Sequence, residues 1–280
     1  MLPTFGTTVT AVDGAAAAEK PDALAIEEPL EIVLVHGPAT NRRRSAVAVT
    51  MRTPGHDIEL AVGYLVGEGL LVDPSDLLAV ASTDANAIRV DLKPGVAGNL
   101  DRLQRRGAMN SSCGVCGKTT LDAIEAEGVA ALSTGPMLTF DAIHRLPDRL
   151  RAAQASFAAT GGLHAVGLFD AFGDLLALRE DVGRHNAADK VIGAEFLAGR
   201  LPLSDRVLFS TSRASFELVQ KAAVAGAPVF AAVGAPTSLA VQLAQRFGLT
   251  LLGFVRDGRF NVYAGGERLG FANPPAAPLR

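Results

Sequence analysis

Apolar and polar positions alternate differently in the two halves of the chain. In the first half the apolar runs are short: one over 31–36 predicts a strand, and alternation over 45–51 predicts a second. Thr53-Pro54-Gly55 then breaks the chain, and Asp57 is placed to cap a helix carrying Ile58, Ala61, Tyr64 and Leu65 on one face. Two more short strands are expected over 77–81 and 87–92, which makes an α+β pattern. Further on, a helix over 148–158 should stop at Gly161-Gly162, and runs over 163–169 and 175–179 predict a hairpin. Asn186 is placed to cap a helix reaching Gly199. Strands over 206–210, 229–233, 249–255 and 260–263 follow, interleaved with helices over 215–225 and 237–247, and Asp257-Gly258 makes the last turn. Strands separated by crossover helices predict a mixed sheet with parallel pairs and helices on both faces.

Three stretches lack this periodicity. Residues 1–28 are rich in Ala, Thr and acids with two prolines, and are expected to form a flexible leader. Residues 266–280 form a tail that ends Pro-rich. Within the chain the pattern stops between 93 and 120, so a mobile loop is expected around 95–119; Thr119 with Asp122 then suggests a helix cap. The expected division is a leader (1–28), a smaller α+β domain (29–145), an α/β domain (146–265) and a tail (266–280).

With 49% hydrophobic and 20% charged residues, the 280-residue chain has enough apolar side chains for a sizeable core, which excludes wholesale disorder. A formal charge of -3 argues against a nucleic-acid coat or a polybasic membrane anchor, and the absence of Trp argues against base-stacking platforms. No apolar run approaches the roughly 20 residues of a membrane span. Nor does the start look like an export signal. Two cysteines make no secreted disulfide framework, so a cytoplasmic location is expected.

Those two cysteines form the sharpest chemical feature, Cys113-Gly-Val-Cys116-Gly-Lys118. A two-residue spacing lets both sulfurs face one substrate or each other, and Gly114 and Gly117 keep bulk away from them. Lys118 and a following helix N-terminus favour thiolate over thiol, which makes a nucleophile able to take up sulfane sulfur. Other readings stay open on the spacing alone. A structural zinc site needs four ligands, and the five histidines are scattered. A thioredoxin-type motif should follow a strand directly, and packed incidental thiols would have apolar neighbours.

A second constellation lies where strands end and helices begin: Arg179 to Asn186, Ser210 to Arg213, and Phe254 to Arg259. In open α/β sheets ligands collect beyond the carboxyl ends of strands. Arg184, Arg213, Arg256 and Arg259 are the candidates to clamp phosphate oxygens. The competing reading pairs these arginines on the surface with Glu180, Asp181, Glu217 and Asp257. His164 and His185 are candidate proton carriers, against a structural role for each.

Together these strings resemble the FdhD family of sulfurtransferases that serve formate dehydrogenases. The likeness runs from about Glu28 to Tyr263. It includes Met51-Arg52-Thr53-Pro54-Gly55, Ser112 to Lys118, Gly161 to Ala165, Arg179 to Lys190 (REDVGRHNAADK), Ser212-Arg213 and Gly253 to Arg256. The resemblance implies that sulfane sulfur arrives from a cysteine desulfurase as a persulfide on Cys113. It then passes to the molybdenum (or tungsten) bis-molybdopterin guanine dinucleotide cofactor, bound as substrate, with no tightly bound metal of the protein's own. Cys116 accepts a second sulfur, assists release or shapes the loop; the sequence leaves all three open. Phe254, Val255, Arg256, Asp257, Gly258 and Arg259 match the family's nucleotide-contacting segment, with Arg213, Arg184 and His185 as further cofactor contacts. The resemblance also implies a homodimer. Its fold expectation is a C-terminal three-layer cytidine-deaminase-like domain with a mixed sheet, preceded by a smaller α+β domain. There His164-Ala165-Val166 stands in place of the deaminase His-x-Glu, so deamination is not expected. Two rival readings differ in class: a cofactor-binding chaperone that moves no sulfur, and a dithiol oxidoreductase.

Overall fold

A computed structural model describes residues 2–96, 132 and 134–271. The first half holds a four-stranded sheet built from β3 (Glu28–His36), β4 (Arg43–Arg52), β5 (Leu77–Asp84) and β6 (Ala87–Leu92), in the order β4-β3-β6-β5. Strands β3 and β6 run parallel, the outer pairs antiparallel. Helix α1 (Asp57–Gly67) packs its buried Leu60, Ala61, Val62 and Leu65 with Leu30, Ile32, Leu34 and Val90 of the strands.

The second half is a six-stranded mixed sheet in the order β12-β11-β10-β9-β7-β8. Its strands are β7 (His164–Phe169), β8 (Leu175–Asp181), β9 (Val207–Ser210), β10 (Val229–Ala232), β11 (Thr250–Arg256) and β12 (Arg259–Ala264). The central β9, β10 and β11 are parallel, as crossover helices require, and the edges are antiparallel hairpins. Alternate residues go to opposite faces. Leu208, Phe230 and Leu251 join one core with α4 (Arg184–Leu197), α5 (Phe216–Val224) and α6 (Ser238–Phe247). Phe209, Ala231 and Leu252 join a second core under α2 (Phe140–Ala153). Helices therefore cover both faces.

The first of these cores is continuous with the core of the four-stranded sheet, because α1 lies directly on α4. Their backbones meet at two glycines. A Cβ on Gly63 would sit 1.8 Å from the Asp189 carbonyl oxygen, and one on Gly193 would sit 1.9 Å from that of Glu59. No side chain fits at either position.

Several expectations are corrected. Residues 4–25 form an antiparallel hairpin, β1 (Thr4–Asp13) with β2 (Ala16–Ala25), in place of a loose leader. Its Thr- and Val-rich first strand suits a pleated ribbon, Gly14 opens the two-residue loop at positive φ, and the ribbon lies against α3 (Ala155–Thr160). The helix expected over 148–158 is two helices, α2 and α3, meeting at Gln154. Since α2 begins at Phe140, the boundary expected at 145 falls inside it. Asp57 is not a cap; His56, with φ 59°, holds that position, and Asp57 instead pairs with Arg52. Asn186 is not a cap either, because Gly183 takes that place while the Asn186 side chain is buried.

Candidate functional site

Polar residues fall into two groups that differ in how completely they are satisfied. The first group lies at and around the junction of the two halves, some of its bonds crossing it and others bracing one side. Arg52 forks onto both carboxylate oxygens of Asp57, at 3.1 and 3.0 Å, and Arg179 of β8 forks onto Glu59 of α1. Burial pushes the Glu59 carboxyl up, but hydrogen bonds from Arg179 and His56, with their charges, bring it down to about 2. Asp181 and Lys190 pair at 2.7 Å, with side chains 0% and 1% exposed. Around them Thr53 N–H and Gly183 N–H donate to Asp181, Lys190 donates to the Thr53 carbonyl, and Asn186 bridges Asp181 to the Met51 carbonyl. Glu180 accepts from the N–H groups of Ser156 and Phe157 and so holds the start of α3. Asp189 pairs with Lys221 at 2.6 Å; burial pushes its pKa up against the pull of that lysine.

Much of the REDVGRHNAADK string is therefore spent on architecture. Arg179, Glu180, Asp181, Asn186, Asp189 and Lys190 all bind other parts of the chain. Of the surface pairings expected for the four arginines, only Arg256 with Asp257 occurs among the described residues, at 4.0 Å.

The second group lies beyond the carboxyl ends of β9, β10 and β11, where a ligand was expected. A cavity of about 590 Å³ opens there, lined by Arg151, Gln154, Phe157, His164, Thr211 and Arg256, with Leu150, Leu163, Phe209 and Val233 as apolar wall. The Arg151 guanidinium lies 4.0 Å over the Phe157 ring. Burial, together with the charges of Arg184 and His185, lowers the His164 pKa below its usual value and so favours the neutral imidazole.

The hairpin β11–β12 supplies the cationic edge. Asp257 (φ 53°) and Gly258 (φ 68°) form a two-residue loop of the kind that matches strand twist. This sets Arg256 directly opposite Arg259 in the ladder, so both side chains leave the same face, and both are exposed. Val255, next to Arg256 in the strand, is buried in the second core. Phe254 has φ 55°, costly for a bulky residue by about 1–3 kcal/mol, and sits where the ladder shifts register; its N–H donates to the Gly234 carbonyl.

Of the predicted cofactor contacts only Arg256 lines this cavity; Phe254, Val255, Asp257, Gly258, Arg259, Arg213, Arg184 and His185 do not. His185 and Glu217 pair at 2.6 Å at the N-termini of α4 and α5, and the bond from His185 lowers the Glu217 pKa despite burial. Arg184 is half-buried beside them and Arg213 is exposed. Cys113, Cys116, Lys118 and the helix expected after Thr119 lie outside the described residues. Among the described residues no group of three or more His, Cys, Asp or Glu side chains is placed to hold a metal ion, and no helix is long and apolar enough to cross a membrane. Sequence reasoning missed Arg151, Gln154 and Phe157, because the break between α2 and α3 that turns them toward the cavity was read as unbroken helix.

Comparison with known proteins gives consistent matches. The model of the FdhD/NarQ family matches residues 25–270. A sulfur carrier protein FdhD of Streptomyces avermitilis is 48% identical over 268 residues, covering 92% of each chain. The protein of the same name from Mycobacterium tuberculosis is 45% identical over 263 residues, covering 89% of this chain and 92% of its own. A crystal structure assigned as a formate dehydrogenase accessory protein from Desulfotalea psychrophila superposes with TM-score 0.73 at 25% identity, over 95% of this chain and 99% of that one.

Proposed function

The chain belongs to the FdhD/NarQ family, and from that membership we propose that it is a sulfurtransferase of the formate dehydrogenase system. In this reading Cys113 thiolate attacks the outer sulfur of a persulfide carried by a cysteine desulfurase. The S–S bond of the donor breaks, the donor leaves as thiolate, and Cys113 holds the sulfur as a persulfide. The sulfur is then delivered to the molybdenum bis-molybdopterin guanine dinucleotide cofactor, the substrate, which formate dehydrogenase requires. The protein acts in the cytoplasm, as a homodimer.

Identity of 45–48% over about nine-tenths of the chain with proteins named sulfur carriers is the observation that carries the proposal. The strand-end cavity and the paired Arg256 and Arg259 support a substrate with a phosphate-bearing end. We read the C-terminal half as a cytidine-deaminase-like arrangement in which Val166 fills the place of the deaminase glutamate, which leaves no general acid for that chemistry.

The test is mass spectrometry after incubation with desulfurase and cysteine, where each bound sulfur adds about 32 Da. The wild-type chain should gain this mass and Cys113→Ala should not, with formate dehydrogenase activity lost in cells carrying that variant. An undiminished gain in Cys113→Ala ends the assignment. A wild-type chain that binds the cofactor and gains no mass is the chaperone instead.

A further inference from the structure

The two long edges of the β1–β2 ribbon are built differently. Among the described residues this sheet has two strands only, so both edges are open. The ribbon meets the body at α3, with Ala25 against Gly162, and residues 16–22 of β2 are exposed without a break. A hairpin with no third strand is marginal in water.

The loop fixes which backbone groups face outward. Two residues separate the strands, so Asp13 and Ala16 form a hydrogen-bonded rung, and bonded rungs alternate with unbonded ones from there. Thr8 and Pro21 therefore share an unbonded rung. The nitrogen of Pro21 lies on the outer edge of β2, where a further strand would require a donor, and Glu19, Lys20 and Asp22 flank it. Proline and charge at an open edge are devices that stop further pairing. The outer edge of β1 has neither. Gly6, Thr8, Thr10 and Val12 aim their N–H and C=O groups away from β2, and residues 4–12 include no charged side chain and no proline. Phe5 and Val12 are 61% and 71% exposed. An edge this long and unprotected is a template for another strand.

Pairing of β1 with its own copy meets the requirements of this edge. Antiparallel alignment centred on Thr8 sets Thr8 opposite Thr8, Gly6 opposite Thr10 and Thr4 opposite Val12, and each of these rungs uses outward-facing groups. Like charges never meet, since Asp13 falls opposite Pro3. The product is a sheet in the order β2-β1-β1-β2, whose two outer edges are both the proline-bearing one. Association through β1 therefore closes at two copies.

We propose that β1 is a dimer interface, along which two copies of the chain pair antiparallel about a twofold axis at Thr8. The inference rests on the reading of the protein as a homodimer and gives that dimer its contact surface.

Sedimentation equilibrium of the full chain over a dilution series tests it. The wild-type chain should be a dimer. Thr8→Pro keeps every bonded rung of the hairpin but removes the central outward donor, so the dimer Kd should rise at least about tenfold. Glu19→Pro puts the same ring on the outer edge of β2 and should leave the Kd unchanged. Thr8→Lys and Thr8→Glu serve if the proline variant does not fold: each alone should weaken the dimer, and an equimolar mixture should regain wild-type affinity. A dimer untouched by Thr8→Pro overturns β1 as the interface and leaves the homodimer standing. Equal weakening by Glu19→Pro overturns the choice of edge, and a mixture that regains nothing overturns the axis at Thr8. A wild-type chain that stays monomeric throughout overturns the homodimer reading beneath it.

Discussion

The seam between α1 and α4 and the rim of the strand-end cavity are both polar, and they draw residues from neighbouring stretches of sequence. At the seam every charge has a geometry-matched partner: Asp181 has Lys190, Thr53, Gly183 and Asn186 around it, and Glu59 has Arg179 and His56. At the cavity Arg256 is exposed, with only a 4.0 Å contact to Asp257 and with the exposed Arg259 opposite it in the ladder, Gln154 keeps a buried amide nitrogen without a partner among the described residues, and Phe254 and Asp257 hold positive φ. The contrast separates two uses of polarity. Saturated groups hold the molecule together, and groups left wanting a partner are those an outside molecule can satisfy.

Substitutions at the two regions should therefore differ in what they damage. The largest effect is expected at the closest helix contact. Gly193→Ala places a methyl against the Glu59 carbonyl and should destabilise by more than about 4 kcal/mol, read as lost soluble expression or a collapsed urea midpoint. A near-normal midpoint would mean that the seam can yield. Next is Lys190→Met, which strands the buried Asp181 carboxylate and should cost about 3–5 kcal/mol in chemical denaturation. A loss below about 1 kcal/mol would deny the pair its structural role. The smallest effect on stability belongs to the rim. Arg256→Ala with Arg259→Ala should shift unfolding by no more than about 0.5 kcal/mol, because both side chains are exposed and replaceable by water. A large loss of stability there would erase the distinction between the regions.

The sequence made most of the second half legible because its strands are short apolar runs between glycine stops, and its helices carry Thr237 and Ser215 at their starts. The hairpin of residues 4–25 was not legible, since β2 (AAAEKPDALA) has no strand character of its own and becomes one only through pairing with β1. Of the arginines singled out by their position at strand ends, Arg256 lines the cavity, and His164, singled out only as a candidate proton carrier, lines it as well. The division of labour inside REDVGRHNAADK stayed hidden, because residue type does not disclose partners: Glu59 and Thr53, which occupy Arg179 and Asp181, lie more than a hundred positions away. The same holds for Gln154, an ordinary polar letter between two helical stretches until tertiary packing encloses it.

The two-residue loop at Asp257-Gly258 has a consequence for inheritance. Because sides alternate with every step along a strand, a change of loop length that slipped the ladder by one residue would send one of the two guanidinium groups to the far side of the ribbon. Loop length at this point thus sets the pairing of the two arginines as much as their identity does, and a register shift would undo that pairing while leaving every charged letter in place.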